Sequence, residues 1–413
     1  MKKWPALALV GGLALSGAVT TNASAAAAPT NVQIRWADSS HQAIRLTWDE
    51  TSAQPNRILL QAKEGDTPIR EAWTAADAPN QMDIPASWSP SEYPRLWFSV
   101  AFGSQGDPET GPLTSSPQFD AQRPSPPQLV SAVPSGSSGL AVEWKAGPVT
   151  EDLTPNDPLD LALPPNYSSF YQVGAEPPVS VGPIELSGTR ANFTTGNPAF
   201  TFSVASRNEW GTTTAKLVDA AASAPTLNVP AWVVYDNLLD LTGKLAGTDP
   251  RTVILQARNS PTSAWYTVTS RLNTTGSYMY TFQFTPSRQY RVQVPNAVAG
   301  NKVWYGGYSA VGTNNVQHKV NASFPTSTVK RGETARATLG VLPGHNGTAT
   351  LQRYVGSAWT TVGPVQFTNG LGDGYVRSTT PGSVSYRYYV PTATISGGTY
   401  HAAYSPNFVL TTT

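Results

Sequence analysis

The 413-residue chain contains no cysteine. A disulfide, a thiolate metal site and a cysteine nucleophile are therefore excluded, and stability must come from burial of a core. Charge is scarce as well. Asp, Glu, Lys and Arg make up 13% of the residues, about half the usual share, and the formal net charge is +1. So weak an overall field argues against nucleic acid or an anionic membrane as the main partner. The four histidines, His41, His318, His345 and His401, stand far apart along the chain. None pairs in the H-x-x-x-H or H-E-x-x-H spacing of a zinc site. No G-x-S-x-G elbow occurs, since "SGSSG" at 135–139 lacks that spacing, and no Gly-rich loop is placed to hold phosphates. Long runs of 3.6-residue apolar periodicity are missing too. These absences predict no cofactor and no enzymatic activity, although carboxylates brought together from distant loops leave no local signature.

The first 25 residues read as a signal peptide. Lys2-Lys3 precede the apolar "PALALVGGLALSGAV", and Ala23-Ser24-Ala25 is an A-x-A cleavage site. The apolar stretch is short and broken by glycine, so a spanning helix is not expected. No Arg-Arg pair precedes it, and no cysteine follows to carry a lipid. With no sortase-like motif before the terminal "VLTTT", any attachment to the cell surface would be non-covalent. The expectation is a secreted, extracellular protein without membrane insertion.

What the chain does have is 36 Pro and 34 Gly spread without a period, together with alternating strands. In "IRLTWDE" Ile44, Leu46 and Trp48 share one face while Arg45 and Thr47 share the other. "LAVEW" repeats this with Leu140, Val142 and Trp144 inward and Glu143 outward. Further along each segment, Phe98 with Val100 and Phe202 with Val204 make a second inward pair. Period-two alternation marks half-buried antiparallel strands, so the fold class is all-β.

Two kinds of unit follow. An early strand ending in Trp, then an aromatic-x-Phe-x-Val strand closing in Asn-x-x-Gly (Asn208 to Gly211), resembles the fibronectin type III family over 30–122 and 124–222. The family usually has Tyr where this chain has Leu96 and Phe200, so the resemblance implies a fold without that corner hydrogen bond. Downstream, "VILQARNSPTSAWYTV" from Val253 returns as "ATLQRYVGSAWTTV" from Ala349, and "YRVQVP" from Tyr290 returns as "YRYYVP" from Tyr386. Leu255 and Leu351, Tyr290 and Tyr386, and Ser309 and Ser405 each lie 96 residues apart, a period matching an autonomous sandwich and too long for a solenoid. This duplicated pair resembles the bacterial immunoglobulin-like domains of secreted proteins. The expected organisation is a signal peptide at 1–25, fibronectin type III-like sandwiches at 26–122 and 124–222, and immunoglobulin-like sandwiches at 226–314 and 318–413. Short, proline-bearing joints such as "QRPSPPQ" (122–128) predict an elongated tandem array on the order of 140 Å.

Two groups of residues are candidates for a site. The insertion at 147–169 holds Glu151, Asp152, Asn156, Asp157 and Asp160. Asp152, Asp157 and Asp160 are weak candidates for Ca²⁺, since they lack the D-x-D-x-D spacing of a compact calcium loop; the other reading is a solvated loop. Five of the 12 tryptophans (Trp36, Trp48, Trp73, Trp88 and Trp97) fall in the first segment. Trp48 fills the core, whereas alternation turns Trp97 outward, and Trp88 and Trp36 have loop flanks. Trp97, Trp88 and Trp36 form a candidate aromatic platform for sugar rings or a protein partner; the other reading is packing beneath a neighbouring loop or domain. By the same alternation Arg291, Gln293, Arg387 and Tyr389 point outward, and Trp265 and Trp359 close the repeated hairpin. These features predict a secreted, non-catalytic binding, adhesion or scaffold protein, with an extracellular polysaccharide or surface protein as its partner. One alternative is a carbohydrate-binding accessory, because fibronectin-like modules often accompany polysaccharide-degrading enzymes in bacteria. Another is a hydrolase with a site assembled between domains. Oligomeric state is left open.

Overall fold

The computed structural model describes residues 27–63, 66–106, 111–148, 154–161, 166–182, 188–283 and 285–413. The expected signal peptide, and Glu151 and Asp152 of the insertion, lie outside the described residues. Within them the chain is built from β-strands, with one short 3₁₀ turn at Ala86–Trp88. The inward residues read from the sequence collect into four hydrophobic cores of tandem β-sandwiches. By packing the chain divides into two compact units. The first comprises Met1–Pro126, Ala146–Asn166 and Ser206–Thr213, and the second Pro127–Lys145, Tyr167–Ala205 and Thr214–Thr413.

In the first unit a three-stranded sheet (Thr30–Trp36, Ala43–Asp49, Gln81–Pro85) faces a four-stranded one (Arg70–Thr74, Asn56–Gln61, Trp97–Phe102, Thr114–Ser115). Ile44, Leu46, Ile58, Leu60, Phe98 and Val100 are fully buried between them. Arg45, outward on the same strand, pairs with Asp83 at 2.7 Å instead. Part of the insertion, expected as a solvated loop, packs onto this core. Leu159 is buried in it, the Thr154 hydroxyl donates to the Pro94 carbonyl at 2.9 Å, and Trp36 Nε1 donates to the Leu159 carbonyl at 2.8 Å. The reason is compositional. Leu159 follows two prolines and offers one large apolar side chain, which gains on the order of 2 kcal/mol from burial.

The second unit holds three cores joined by a repeated device. Strands Ala297–Ala299 and Lys302–Tyr305 form a hairpin whose second strand pairs in parallel with Asp219–Ala222. Through it Val303 and Tyr305 enter the core formed by Leu140, Trp144, Phe202 and Val204. Tyr305 is fully buried and its hydroxyl donates to the Gly139 carbonyl at 2.7 Å. Arg251, also buried, donates to the carbonyls of Ala246, Gly247 and Asp249 and lies 3.9 Å from the centroid of Trp304, which itself donates to Asp249. One repeat later, Ala393–Ile395 and Gly398–Tyr400 form the matching hairpin. There Gln317 bridges His401 in parallel, and His318 N–H donates to the His401 carbonyl at 3.2 Å, as Ser223 N–H does to Tyr305 at 2.8 Å in the first joint.

Histidines that stand far apart along the chain meet at this joint. Chain distance is not spatial distance, and His318 stacks on His345 with ring centroids 5.0 Å apart while its backbone meets His401.

The repeated phrase is explained by its geometry. Both copies form a hairpin, Arg251–Arg258 with Tyr266–Asn273 and Gly347–Val355 with Ala358–Thr368. Both carry a register irregularity at the same place, between Leu255 and Gln256 and between Leu351 and Gln352. A bulge there bends the strand and re-aims the glutamine. The last core lies within one long sheet that runs from Lys319–Ser323 through Phe408–Thr412 to Thr328–Val329.

Candidate functional site

Three sandwiches share one local construction on the outer face of a sheet. Gln61, Gln256 and Gln352 stand directly opposite Trp97, Arg291 and Arg387 on the neighbouring strand. The residue after each (Phe98, Val292 and Tyr388) points into the core. Its N–H donates to a serine Oγ: to Ser116 at 3.1 Å, to Ser309 at 2.9 Å and to Ser405 at 2.9 Å. Each serine donates onward to the carbonyl of the next residue. The clamp fixes the strand, and alternation turns the preceding side chain outward. Trp97 thus stands in the first unit where arginine stands in the duplicated pair.

Around each arginine the sequence builds a ladder. Arg291 Nε donates to Gln256 Oε1 at 2.8 Å, and its guanidinium lies 4.3 Å from the centroid of Trp265 and 4.2 Å from that of Tyr308. Arg387 Nε donates to Gln352 Oε1 at 2.8 Å and lies 4.2 Å from Trp359 and 4.0 Å from Tyr404. Arg258 continues the first ladder at 4.6 Å from Trp265, and Tyr354 and Tyr389 extend the second on Trp359 and Tyr404. Each cation–π contact contributes about 0.5–1 kcal/mol at such a site. The outer rungs stay accessible, Tyr308 at 54% and Tyr404 at 53% exposure. Alternation identified the outward arginines; the tyrosines come from strands only two residues long, Gly307–Tyr308 and Ala403–Tyr404, which show no alternation to read.

The three tryptophans of the candidate platform separate. Trp36 and Trp88 are half-buried against the first core, and Trp36 is bracketed by Trp210 at 4.8 Å and His41 at 5.1 Å. Trp97 is likewise half-buried, on the opposite sheet, and its indole N–H has no partner among the described residues. Trp265 and Trp359 are rungs of the ladders.

Of the candidate cation ligands, Asp157 is buried, and both its carboxyl oxygens accept backbone N–H groups, from Leu159 at 2.7 Å and Asp120 at 2.8 Å. Asp160 is exposed close by. Among the described residues no three His, Asp or Glu side chains come together as a metal site. Burial, reinforced by the nearby Asp160 and Asp120, pushes the Asp157 carboxyl up to about 7. Burial raises Glu209 in the same neighbourhood. A raised carboxyl holds its proton in the fold when the unfolded chain has lost it, so stability falls as pH rises from about 4 to about 7. The first unit's melting transition is therefore expected to move up by several degrees between pH 8 and pH 5. Calorimetry on the whole chain with Asp157→Asn checks this, since the variant's transition should respond less to pH.

An open groove of about 640 Å³ runs along the short sheet of the third core, between Thr226–Asn228, Thr242–Lys244 and Ser277–Met279. Its lining has no carboxylate or histidine.

The fold thus places the chain among all-β proteins of tandem sandwiches. No family model matches it, and no curated protein matches it. Among solved structures the chain is similar to a tetra-tandem repeat in the extending region of a large adhesion protein, at 12% identity over 92% of this chain and 98% of that one, with a TM-score of 0.24. A likeness at that score carries no argument about function.

Proposed function

We propose that this is a secreted, non-catalytic scaffold that works by contact, as an adhesion or binding protein. The observation carrying the reading is the repeated joint of the second unit. There each hairpin adds backbone pairing to the preceding sandwich, and the first also places Val303 and Tyr305 in that sandwich's core, where a flexible linker would leave independent beads. Stitching of that kind suits a protein that holds things in place. Among the described residues no helix is long and apolar enough to cross a membrane, which is compatible with export.

A second reading, a carbohydrate-binding accessory, is favoured by Trp97. A partly accessible indole on a sheet, with its N–H unpartnered, is suited to stacking on a sugar ring and donating to a hydroxyl. Trp36 and Trp88, committed to packing, would support such a site only indirectly. No observation favours the hydrolase.

The test is retention of the purified chain on insoluble polysaccharides and cell-wall material, with release of reducing ends followed in parallel. Saturable retention without release is expected, reduced at least tenfold in Trp97→Ala if the first sandwich carries the contact. Retention unaffected by that variant would move the contact elsewhere in the chain, and release of reducing ends would overturn the non-catalytic reading.

A further inference from the structure

The near-zero net charge conceals a segregation. Residues 226–413 carry 14 Lys or Arg against 5 Asp or Glu, a net of +9, while residues 26–225 carry 11 against 21, a net of −10. Three of the five acids in the basic half already face a cation: Asp249 pairs with Lys302, Asp236 with Lys319 and Asp373 with Arg336. Arg291 and Arg387 have no carboxylate partner among the described residues. In the acidic half Arg45, Arg57 and Arg190 are each matched by a carboxylate across the strands.

Among the arginines without a carboxylate partner, Arg291 and Arg387 each combine two ring contacts with a side-chain hydrogen bond at Nε. Each lies against two aromatic rings, and each is tied at Nε by a glutamine. Only the Nη edge remains for a ligand. A planar fork held in one orientation is matched to a carboxylate, and its ordering cost is met before binding. Beside each fork lies a tyrosine ring more than half exposed, Tyr308 or Tyr404.

From this pairing of a fixed cation with an exposed ring, we infer that the outer faces of the third and fourth sandwiches bind a carboxylate-bearing polysaccharide. Arg291 and Arg387 take the acid groups, and Tyr308 and Tyr404 stack on the sugar rings. The inference rests on the reading of the chain as a contact protein and names the ligand class for one half of it. A glycan is favoured over nucleic acid because the cations of each face stand singly among aromatic rings, whereas a phosphate backbone is met by a continuous basic groove.

The experiment is equilibrium binding of the full chain to polygalacturonate, to its neutral methyl ester and to double-stranded DNA at two salt concentrations. The set is repeated with Arg291→Gln/Arg387→Gln and with Tyr308→Ala/Tyr404→Ala. Polygalacturonate is expected to bind at least tenfold more tightly than the ester and the DNA, with that margin lost in the arginine variant. The tyrosine variant, altered at accessible rungs, should lower affinity several-fold while the melting temperature falls by only a few degrees, and it decides the matter if the arginine variant fails to fold. Equal binding of DNA and polygalacturonate would mean a generic polyanion surface and overturn the inference. So would binding untouched in both variants, or self-association at low salt that the arginine variant abolishes, since the face would then serve the acidic half of another copy. Failure here with retention still lost in Trp97→Ala would sink this inference alone. Failure of both would sink the contact reading as well.

Discussion

Tyr305→Ala is expected to destabilise the second unit by about 3–5 kcal/mol, the range for removing a fully buried aromatic side chain. Tyr305 belongs by sequence to the third sandwich, yet its ring lies in the core of the second, 6.1 Å from Phe200, and its hydroxyl satisfies the Gly139 carbonyl. The loss should therefore appear in the second sandwich rather than the third. Chemical denaturation followed by tryptophan fluorescence reads it through Trp144, which is buried in that core. Tyr305→Phe keeps the packing and removes only the hydroxyl, so it should cost about 1 kcal/mol. Equal costs for the two variants, or a loss confined to the third sandwich, would mean that the hairpin does not complete the second core.

Acid should weaken the joint between the third and fourth sandwiches. His318 is 1% exposed and stacked on His345. The carbonyls of Leu342 and Pro391 lie near enough to favour its protonation, but neither completes a hydrogen bond to the ring. Burial, with His345 as the next contribution, holds its pKa down at about 4 against an ordinary 6.5. The other groups around it are Tyr400 at 5.9 Å, the Lys319–Asp236 pair, and His401, whose ring is turned to Trp232. The sign follows directly. Between pH 6.5 and 4 the unfolded chain binds a proton that the folded chain refuses, so stability is lost as pH falls. At about 1.4 kcal/mol per unit the loss by pH 4 is roughly 2–3 kcal/mol. His318→Phe keeps a flat ring on His345 and removes the titration. Its melting temperature should fall less between pH 7 and pH 4.5 than that of the unaltered chain, and identical slopes would exclude His318 as the cause. The first unit, through Asp157, should respond with the opposite sign.

The strand pattern was readable because alternation is a local property. Ile44, Leu46, Trp48, Phe98, Val100, Tyr290, Val292 and Val294 are all inward as their spacing requires. Arg291 and Arg387 are outward for the same reason. Other features depend on partners far along the chain. Trp36 reads as a loop-flanked aromatic, and only the folded insertion supplies the Leu159 carbonyl it meets, 123 residues away. His318 and His345 belong to different turns of the sequence and meet only through the fold. Trp97 illustrates both sides: alternation set its direction, but its equivalence to two arginines depends on the cross-strand partners and the serine clamp. The charge segregation was present in the sequence all along and was hidden by summing over the whole chain.

The joint hairpins also impose an order in time. A chain made from its N-terminus presents the strands of the second sandwich well before Val303 and Tyr305, which finish that sandwich's core. Until they arrive the module is an unsealed vessel, with a gap in its packing where the hairpin will seat. For this module completion therefore runs backwards along the chain, a later segment sealing the sandwich before it. A fragment cut at the natural-looking boundary near residue 222 would lack the piece that closes it.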